Sequence, residues 1–211
     1  MSKGARRRLL YLLPGALLAV ALAIRIFLVN SSALLPPIER HSIGEEVSPD
    51  GTFYEDAYSE NPDGYVVKVK SAQIMTRDDY VRLHGVKGDA RLGGDEGLAS
   101  VLCLDLVVRN TSSTEGGIWV LDFLPVLPDR TAYLNLDSKL WSLSEDSLGE
   151  SATSFSIKRD SEYEVHVPFT LGSTDEDRYS HELPAGSYEV LLSNLPVQKV
   201  VLCEADYMKH T

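Results

Sequence analysis

The chain contains two cysteines, Cys103 and Cys203, and a disulfide is the first chemistry that they suggest. In an oxidising compartment two cysteines can pair. A bridge here would close a loop of about 100 residues and stabilise the fold by roughly 4 to 5 kcal/mol in a chain-entropy treatment. The alternative is two unpaired thiols that pack as small hydrophobic side chains. A redox-active site is not expected, because the sequence has no C-x-x-C motif.

The five histidines are scattered along the chain, which argues against a zinc site. No two of them stand at the i, i+2 or i, i+4 spacing that would present both imidazoles on one face of a strand or helix. Oxygen ligands for calcium are more plentiful, but the acidic runs lack the spacing of a calcium-binding loop. These runs are Asp175-Glu176-Asp177 and the set of Asp89, Asp95 and Glu96. We therefore expect no metal and no cofactor.

Catalytic motifs are missing as well. The chain has neither the G-x-S-x-G nor the S-x-x-K context of a serine nucleophile, and Gly93-Gly94 is not followed by the G-K-[ST] of a phosphate loop. A triad or a pair of carboxylates can assemble from distant positions, so an envelope hydrolase with its site spread over loops stays the alternative. We expect the protein not to be an enzyme.

Aromatic side chains are the candidates for a binding surface. Trp141 stands among polar residues and is the candidate for an exposed anchor, with a core position as the alternative. Trp119 lies in a predicted strand and is expected in the core. Tyr188 follows the turn Pro184-Ala185-Gly186 and is expected as a core or corner tyrosine.

The N-terminal segment has the features of a membrane anchor. Residues 9–29 are apolar with one charge, Arg25, and at about 1.5 Å per residue a helix of this length spans a hydrocarbon layer of ~30 Å. Near the outer end of such a span, the Arg25 side chain can reach the headgroups. Arg6, Arg7 and Arg8 precede the span, and the positive-inside rule keeps them cytoplasmic. The rest of the chain is then extracytoplasmic, in a single-pass topology.

A cleaved signal peptide is the alternative to an anchor. Ala21-Leu22-Ala23 matches the usual cleavage pattern, but a cut there leaves the apolar stub 24–29. The anchored interpretation divides the chain into a basic cytoplasmic tail (1–8), a transmembrane helix (9–29), an acidic linker (30–63), an extracytoplasmic domain (64–205) and a tail (206–211).

Beyond the N-terminal segment the chain is strongly acidic. From residue 31 onward it holds 31 acidic residues against 15 Lys and Arg, a net charge of −16. A domain of that charge repels polyphosphates, so nucleic-acid binding is excluded. Residues 31–63 contain eight acidic residues and four prolines, a composition typical of an extended spacer.

The domain itself is predicted to be built from strands. In the clearest one, 100–110, every second residue from Leu102 to Val108 is apolar, while Cys103 and Asp105 point to the opposite face. In a later one His166 lies opposite the apolar face in the same way. Turn residues separate the runs, which is typical of an antiparallel β-sandwich. The predicted strands are 65–70, 100–110, 118–124, 131–136, 153–157, 162–171, 187–193 and 197–204.

One short helix is expected between the first two of these strands. Thr76 is placed as its N-cap with Asp79 three residues later, and Gly85 supplies the stop. Met75 and Tyr80 occupy the positions of a hydrophobic staple, which fixes the entry of the chain into the helix.

Several strand and turn segments carry a family resemblance. They are Val67-Lys68-Val69, Ile74-Met75-Thr76, Leu106-Val107-Val108-Arg109-Asn110-Thr111, Val167-Pro168-Phe169, the run from Gly186 to Ser193, and Pro196-Val197-Gln198-Lys199. The chain resembles a family of uncharacterised, membrane-anchored extracytoplasmic proteins of Gram-positive and actinobacterial cells, with immunoglobulin-like or telokin-like domains. The resemblance implies a fold and a location, and its motifs carry no chemistry.

Together these observations predict a mainly-β protein. We expect an immunoglobulin-like antiparallel β-sandwich with one short helix, preceded by a single transmembrane helix. The predicted function is a non-enzymatic binding or accessory module at the cell envelope, whose partner is another envelope protein or a wall polymer.

Overall fold

The computed structural model describes residues 3–32, 36–52, 61–85, 92, 94–113, 115–144, 153–172 and 182–209. The chain divides into two compact units, Met1–Leu35 and Pro36–Thr211. The first consists of helix α1 (Lys3–Ser32). Its side chains are described from Gly15 to Asn30, and all of these are exposed. Within the described part of the chain, no helix combines the length and the apolar character needed to cross a membrane.

The second unit is mainly β, as predicted. Its strands are β1 (Ile38–Ser42), β2 (Glu46–Val47), β3 (Tyr65–Thr76), β4 (Ser100–Asn110), β5 (Ile118–Trp119), β6 (Leu124–Val126), β7 (Asn135–Leu136), β8 (Ser154–Phe155), β9 (Ser161–Thr170), β10 (Gly186–Ser193) and β11 (Gln198–Tyr207). Its helices are α2 (Arg77–His84), α3 (Gly94–Leu98), a 3-10 turn (Val120–Asp122) and α4 (Ser138–Ser144).

Nine strands form one sheet in the order β6-β10-β11-β3-β4-β9-β7, with β1 added beside β11 and β2 beside β3; β5 and β8 pair separately. The first part of β11 pairs with β10, and its end, Asp206 and Tyr207, pairs with β3. At the two ends of the path a bridge joins Val126 of β6 to Tyr133, just before β7. The sheet therefore nearly closes on itself around a main apolar core.

Period-two alternation explains why the core is where it is. On β4 the even-numbered residues from Leu102 to Val108 are fully buried in the main cluster. The odd-numbered Val101 and Cys103 lie in a second cluster on the opposite face, together with Tyr80 of α2 and Leu140 of α4. The outer face of the central strands is thus covered by helices at one end and left polar at the other. This division positions the site described below.

The predicted helix is present as α2. The Thr76 hydroxyl accepts a hydrogen bond from the backbone N–H of Asp79 at 3.1 Å, and the N–H of Gly85 donates to the Val81 carbonyl at 2.8 Å. The predicted staple residues, Met75 and Tyr80, share the second cluster. The expectation of one helix in the domain was wrong, however, because α3 and α4 also form.

Two strand pairs depart from the predicted antiparallel arrangement. β1 runs parallel to β11, and the end of β11 runs parallel to β3. These pairs bring strands together that are far apart in sequence. Alternation within a single strand does not reveal the direction of its neighbour.

The folded unit extends beyond the predicted domain, residues 64–205, at both ends. Residues 36–52, assigned to an acidic linker, belong to the folded unit and supply β1 and β2. The side chains of β1 and β2 are mostly polar, but backbone hydrogen bonds of β1 with β11 and of β2 with β3 hold these residues in the folded unit. At the other end β11 continues to Tyr207, inside the segment assigned to a tail. The aromatic residues of the predicted linker, Phe53, Tyr54 and Tyr58, lie outside the described residues.

Candidate functional site

A row of polar side chains crosses the outer face of three adjacent strands, β3, β4 and β9. Ser71 of β3 is paired with Asp105 of β4, and Asp105 is paired with His166 of β9. A bulge at Lys70 shifts the register of β3 by one residue here, which brings Ser71 opposite Asp105. The Ser71 hydroxyl donates a hydrogen bond to Asp105 Oδ2, and His166 Nδ1 lies 2.7 Å from Asp105 Oδ1.

Helix α2 adds a second histidine to this row. His84 is the last residue of α2, and its ring stacks on that of His166 with centroids 4.1 Å apart and planes 25° from parallel. Tyr80, one turn earlier and fully buried, donates its hydroxyl to the backbone carbonyl of His166 and lies 2.8 Å from Ser144 Oγ of α4. Tyr80 therefore fixes the end of α2 over β9.

Cys103 lies beneath the row. Its Sγ is 3.8 Å from His84 Nε2 and 3.8 Å from Asp105 Oδ1. Only 2% of the residue is exposed. Burial, and then the charge of Asp105, raise the pKa of the Cys103 thiol well above its ordinary value. The thiol is therefore protonated at neutral pH and is a poor nucleophile.

Electrostatics set the charge of the remaining groups. Burial, reinforced by the neighbouring His166, lowers the pKa of His84 to about 4. Burial alone would raise the pKa of Asp105, but hydrogen bonds from His166 and Ser71 outweigh it and lower that pKa. At neutral pH the site therefore holds a neutral His84 and an ionised Asp105. An ionised carboxylate only accepts, so the Nδ1–H of His166 donates to it.

This arrangement does not provide an activated nucleophile among the described residues of the row. A serine nucleophile needs a histidine to take its proton, whereas Ser71 donates to a carboxylate. The cysteine is buried and protonated. The histidine–carboxylate pair by itself orients an imidazole and leaves it able to bind a ligand.

The same residues can hold a cation. His84, Asp105 and His166 each offer one ligand atom, and these atoms all lie within 4.8 Å of one another. The side chains of His166 and Asp105 are 30% and 25% exposed, so the cluster is open to solvent. The histidines have no local spacing that would pair them in the sequence, but two of them, His84 and His166, meet through the tertiary fold.

The structure does not bring the two cysteines together. Both are free and buried. Cys203 lies in the main core, and Cys103 lies in the second cluster on the other face of the sheet. The predicted bridge is therefore absent from this structure, because the β-strands that carry the cysteines direct them into different clusters.

The tryptophan predicted as an exposed anchor is in the core. Trp141 is 1% exposed, since residues 138–144 form α4 and turn it inward. Asp137 caps this helix by accepting from the N–H of Leu140 at 3.1 Å, which makes the polar neighbours of Trp141 part of a helix start. Trp119, expected in the core, is half-buried and lines a small cleft with Asp122 and Phe123.

Other predicted site residues lie elsewhere. Arg6, Arg7 and Arg8 fall within α1, but their side chains lie outside the described residues, as do those of Asp89 and Asp95 and the whole run 175–177. Glu96 forms ion pairs with Lys139 and Arg77. The corner tyrosine is confirmed: Tyr188 is fully buried and donates to the Pro184 carbonyl at 2.7 Å.

Sequence reasoning placed Asp105 and His166 on the polar faces of their strands but did not pair those strands. His84 was considered only as one of the five scattered histidines. The useful signal was that two of the predicted strands carry titratable groups on the face opposite the core. Register across the sheet, which single-strand periodicity does not supply, was the missing information.

Comparison with known proteins places the chain in a family. A model described as a domain of unknown function (DUF5028) matches residues 38–199, most of the chain. The chain belongs to this family. The DUF5028 match starts at the first residue of β1 and ends within β11, so the family's domain includes residues that composition alone assigned to a linker.

One solved structure is similar to this DUF5028 protein. The secreted protein MPT63 from Mycobacterium tuberculosis has a TM-score of 0.40 and 15% sequence identity, with 82% of this chain and 99% of that chain covered. Comparison with curated proteins gives no match.

Proposed function

We propose that this DUF5028 protein is an extracytoplasmic binding module, held at the membrane by its N-terminal helix, that captures its ligand at the His84–Asp105–His166 cluster without a catalytic step of its own. The observation that carries the proposal is the cluster itself. Three ligand-competent groups from three elements converge on an open face. None of the neighbouring hydroxyl or thiol groups described there is activated for attack.

The location is supported by the N-terminal segment. The described side chains of α1 include large apolar groups that are more than half exposed from Leu17 to Val29. Lipid is the environment that suits an apolar helix of this kind, and the preceding arginines favour a cytoplasmic N-terminus. The strongly acidic remainder would be repelled by anionic headgroups, which suits a domain that stands away from the membrane surface.

The binding role is supported by rigidity. Asp105 and His166 stand on two neighbouring antiparallel strands, and His84 is held over them through the hydrogen bonds of Tyr80. Groups held in this way by the core bind a ligand without a large ordering cost. The partner at the envelope is another protein or a wall polymer that presents its ligand groups to this face.

Site-specific crosslinking in intact cells tests this proposal. A photoactivatable residue at Glu164, which is on the same strand and face as His166, should give a reproducible crosslinked species. The same residue at Arg130, an exposed position that pairs with Glu189 on β10, is the matched control. Replacing His84 and His166 together by glutamine should abolish the Glu164 product. Equal yields at both positions, or a product that survives the double replacement, would contradict capture at this cluster.

A hydrolase is the competing outcome of the same experiment. If the photocrosslinked species proved to be envelope material cleaved by the purified chain, the site would be catalytic, and replacement of Ser71 or Cys103 should then abolish the cleavage.

A further inference from the structure

We propose that His84, Asp105 and His166 bind one divalent transition-metal ion of the zinc class through two imidazole nitrogens and one carboxylate oxygen. The inference rests on the proposed function, and it identifies the metal ion as the group through which the binding module would hold its partner. Neither the fold nor the family indicates which class of ligand the chain binds, and the inference supplies that class.

The distances are those of a metal site before the ion enters. Around an ion with bonds of about 2.1 Å, neighbouring ligand atoms lie about 3.0 to 3.4 Å apart in octahedral or tetrahedral geometry. In the metal-free chain His166 Nδ1 and Asp105 Oδ1 are 2.7 Å apart, slightly closer than this, because a hydrogen bond joins them; an entering ion would displace the Nδ1 proton of that hydrogen bond. All three ligand atoms fall within 4.8 Å. Small side-chain rotations therefore bring them onto one ion without moving the strands.

The donor types select the class of ion. Two imidazoles and one carboxylate suit zinc, cobalt, nickel and copper(II), whereas calcium and magnesium prefer a shell made of oxygen. Three protein ligands leave at least one position open, and the partial exposure of His166 and Asp105 gives that position access to solvent. A partner's carboxylate or imidazole can occupy it.

The charge balance also favours a cation. The negative charge of the cluster comes from Asp105, whose carboxylate lies within 4.8 Å of a nitrogen of each stacked imidazole. The chain beyond residue 30 carries a large negative charge, which raises the local concentration of cations near its surface. Cys103 lies beneath the set and is almost fully buried, and the proposal gives it no role as a ligand.

The elements that supply the ligands are independently anchored. Asp105 lies on β4, whose other face is buried in the main core, and His166 lies on β9 beside it. His84 ends a capped helix whose Tyr80 is fully buried. Because no ligand depends on the ion for its backbone position, the metal-free chain keeps its fold. Binding and folding can therefore be measured separately.

Metal titration of the full-length chain in detergent tests the proposal. The chain should be purified with a tag that contains no histidine, stripped with a chelator, and titrated with Zn²⁺ by calorimetry and with Co²⁺ by visible absorption. We expect one ion per chain and cobalt bands of an ion with nitrogen ligands. His84→Gln and His166→Gln should each weaken binding by about tenfold or more. Asp105→Asn should also weaken it.

A matched control comes from a histidine outside the site. His41 lies beside Glu39 and Glu45 on β1 and the turn after it, so His41→Gln removes an imidazole that also faces carboxylates. This variant should bind Zn²⁺ like the unaltered chain. Thermal unfolding of each metal-free variant shows whether its fold is intact, and glutamine keeps the size of the side chain.

Two outcomes would overturn the inference. One is unchanged Zn²⁺ affinity in the folded His84→Gln and His166→Gln variants. The other is a loss of binding in His41→Gln alone, which would locate the ion elsewhere. Failure of the metal inference is distinguishable from failure of the proposed function. A chain that binds no Zn²⁺ but still gives the Glu164 crosslink in cells remains a binding module.

Discussion

At the scale of single residues, burial decides which groups of the site are reactive. His84 lies between two rings, with Tyr80 at a centroid distance of 5.1 Å and His166 at 4.1 Å. The same packing that lowers its pKa keeps the ring neutral at pH 7, so that one of its two nitrogens has a free lone pair for a ligand. Burial also favours the neutral form of Cys103, but here the neutral form is the unreactive thiol, so burial removes the reactive thiolate.

The two thiols provide a prediction at this scale. Burial raises the pKa of Cys203 to about 12 and that of Cys103 well above its ordinary value. At pH 8 the thiolate fraction in the folded chain is therefore far below that of a free cysteine. We expect neither residue to react with iodoacetamide in the native chain and both to react in denaturant, as counted by intact mass.

The same samples test the absence of a bridge. Electrophoretic mobility should be identical with and without reductant, and two alkylated thiols should appear after unreduced denaturation. Faster migration of the unreduced chain together with no alkylation would show that Cys103 and Cys203 are joined.

At the scale of elements, the segment before residue 53 is held to the sheet by a lysine. Lys199 of β11 is 8% exposed, and its Nζ donates to the Ser48 carbonyl at 2.7 Å and to Asp50 at 2.9 Å. Both partners follow β2, and β1 pairs alongside the same β11. One side chain thus links the segment that composition described as a spacer to the last described strand of the domain.

Replacement of this lysine should destabilise the domain. Lys199→Met leaves the Ser48 carbonyl without its donor, and the free energy of unfolding should fall by about 1 to 3 kcal/mol. Lys158→Met, at an exposed position, is the control and should change it by less than about 0.5 kcal/mol. Urea unfolding followed by circular dichroism measures both. Equal stability of the two variants would show that the Lys199 contacts contribute nothing.

Element by element, the sequence was informative where the signal was local. The alternation in β4, the cap of α2 and the corner at Tyr188 each depend on a few adjacent residues, and all three are present in the structure. Residues 38–42 have little alternation to detect, because β1 is mostly exposed and is held by pairing to a distant strand. Trp141 was misplaced for a related reason: its helix starts at an aspartate whose capping role the sequence analysis did not recognise.

The candidate site was less predictable than the fold. Its three residues come from α2, β4 and β9, and only the register between β4 and β9 places Asp105 opposite His166. Such contacts follow from tertiary pairing. A search for spaced histidines therefore had no local pattern to find.

At the scale of the whole molecule, the proposed topology across a membrane has the clearest test. In spheroplasts, added proteinase should remove a peptide tag at the C-terminus and spare one at the N-terminus, because in the proposed topology the arginines at 6–8 would keep that end in the cytoplasm. Immunoblotting for the two tags measures this, with a cytoplasmic protein as the control for intact cells.

A variant without the arginines sharpens the test. Replacing Arg6, Arg7 and Arg8 by glutamine removes most of the positive charge before the apolar run, so a fraction of the chains should lose the protected N-terminal tag. If the C-terminal tag of the unaltered chain stays intact until the cells are lysed, the extracytoplasmic location is wrong.

The position of β11 has a consequence for how the chain reaches its native state. Residues 38–42 pair with residues 198–202, and the end of the same strand pairs with β3. During synthesis β1 and β3 therefore leave the ribosome well before β11, the strand that both of them pair with. Until then β1 has an unsatisfied edge, and long-range pairing of this kind folds slowly. In the proposed topology, where the N-terminus stays in the cytoplasm and the domain follows the anchor across the membrane, the domain would thus cross in an open form and complete its sheet on the far side.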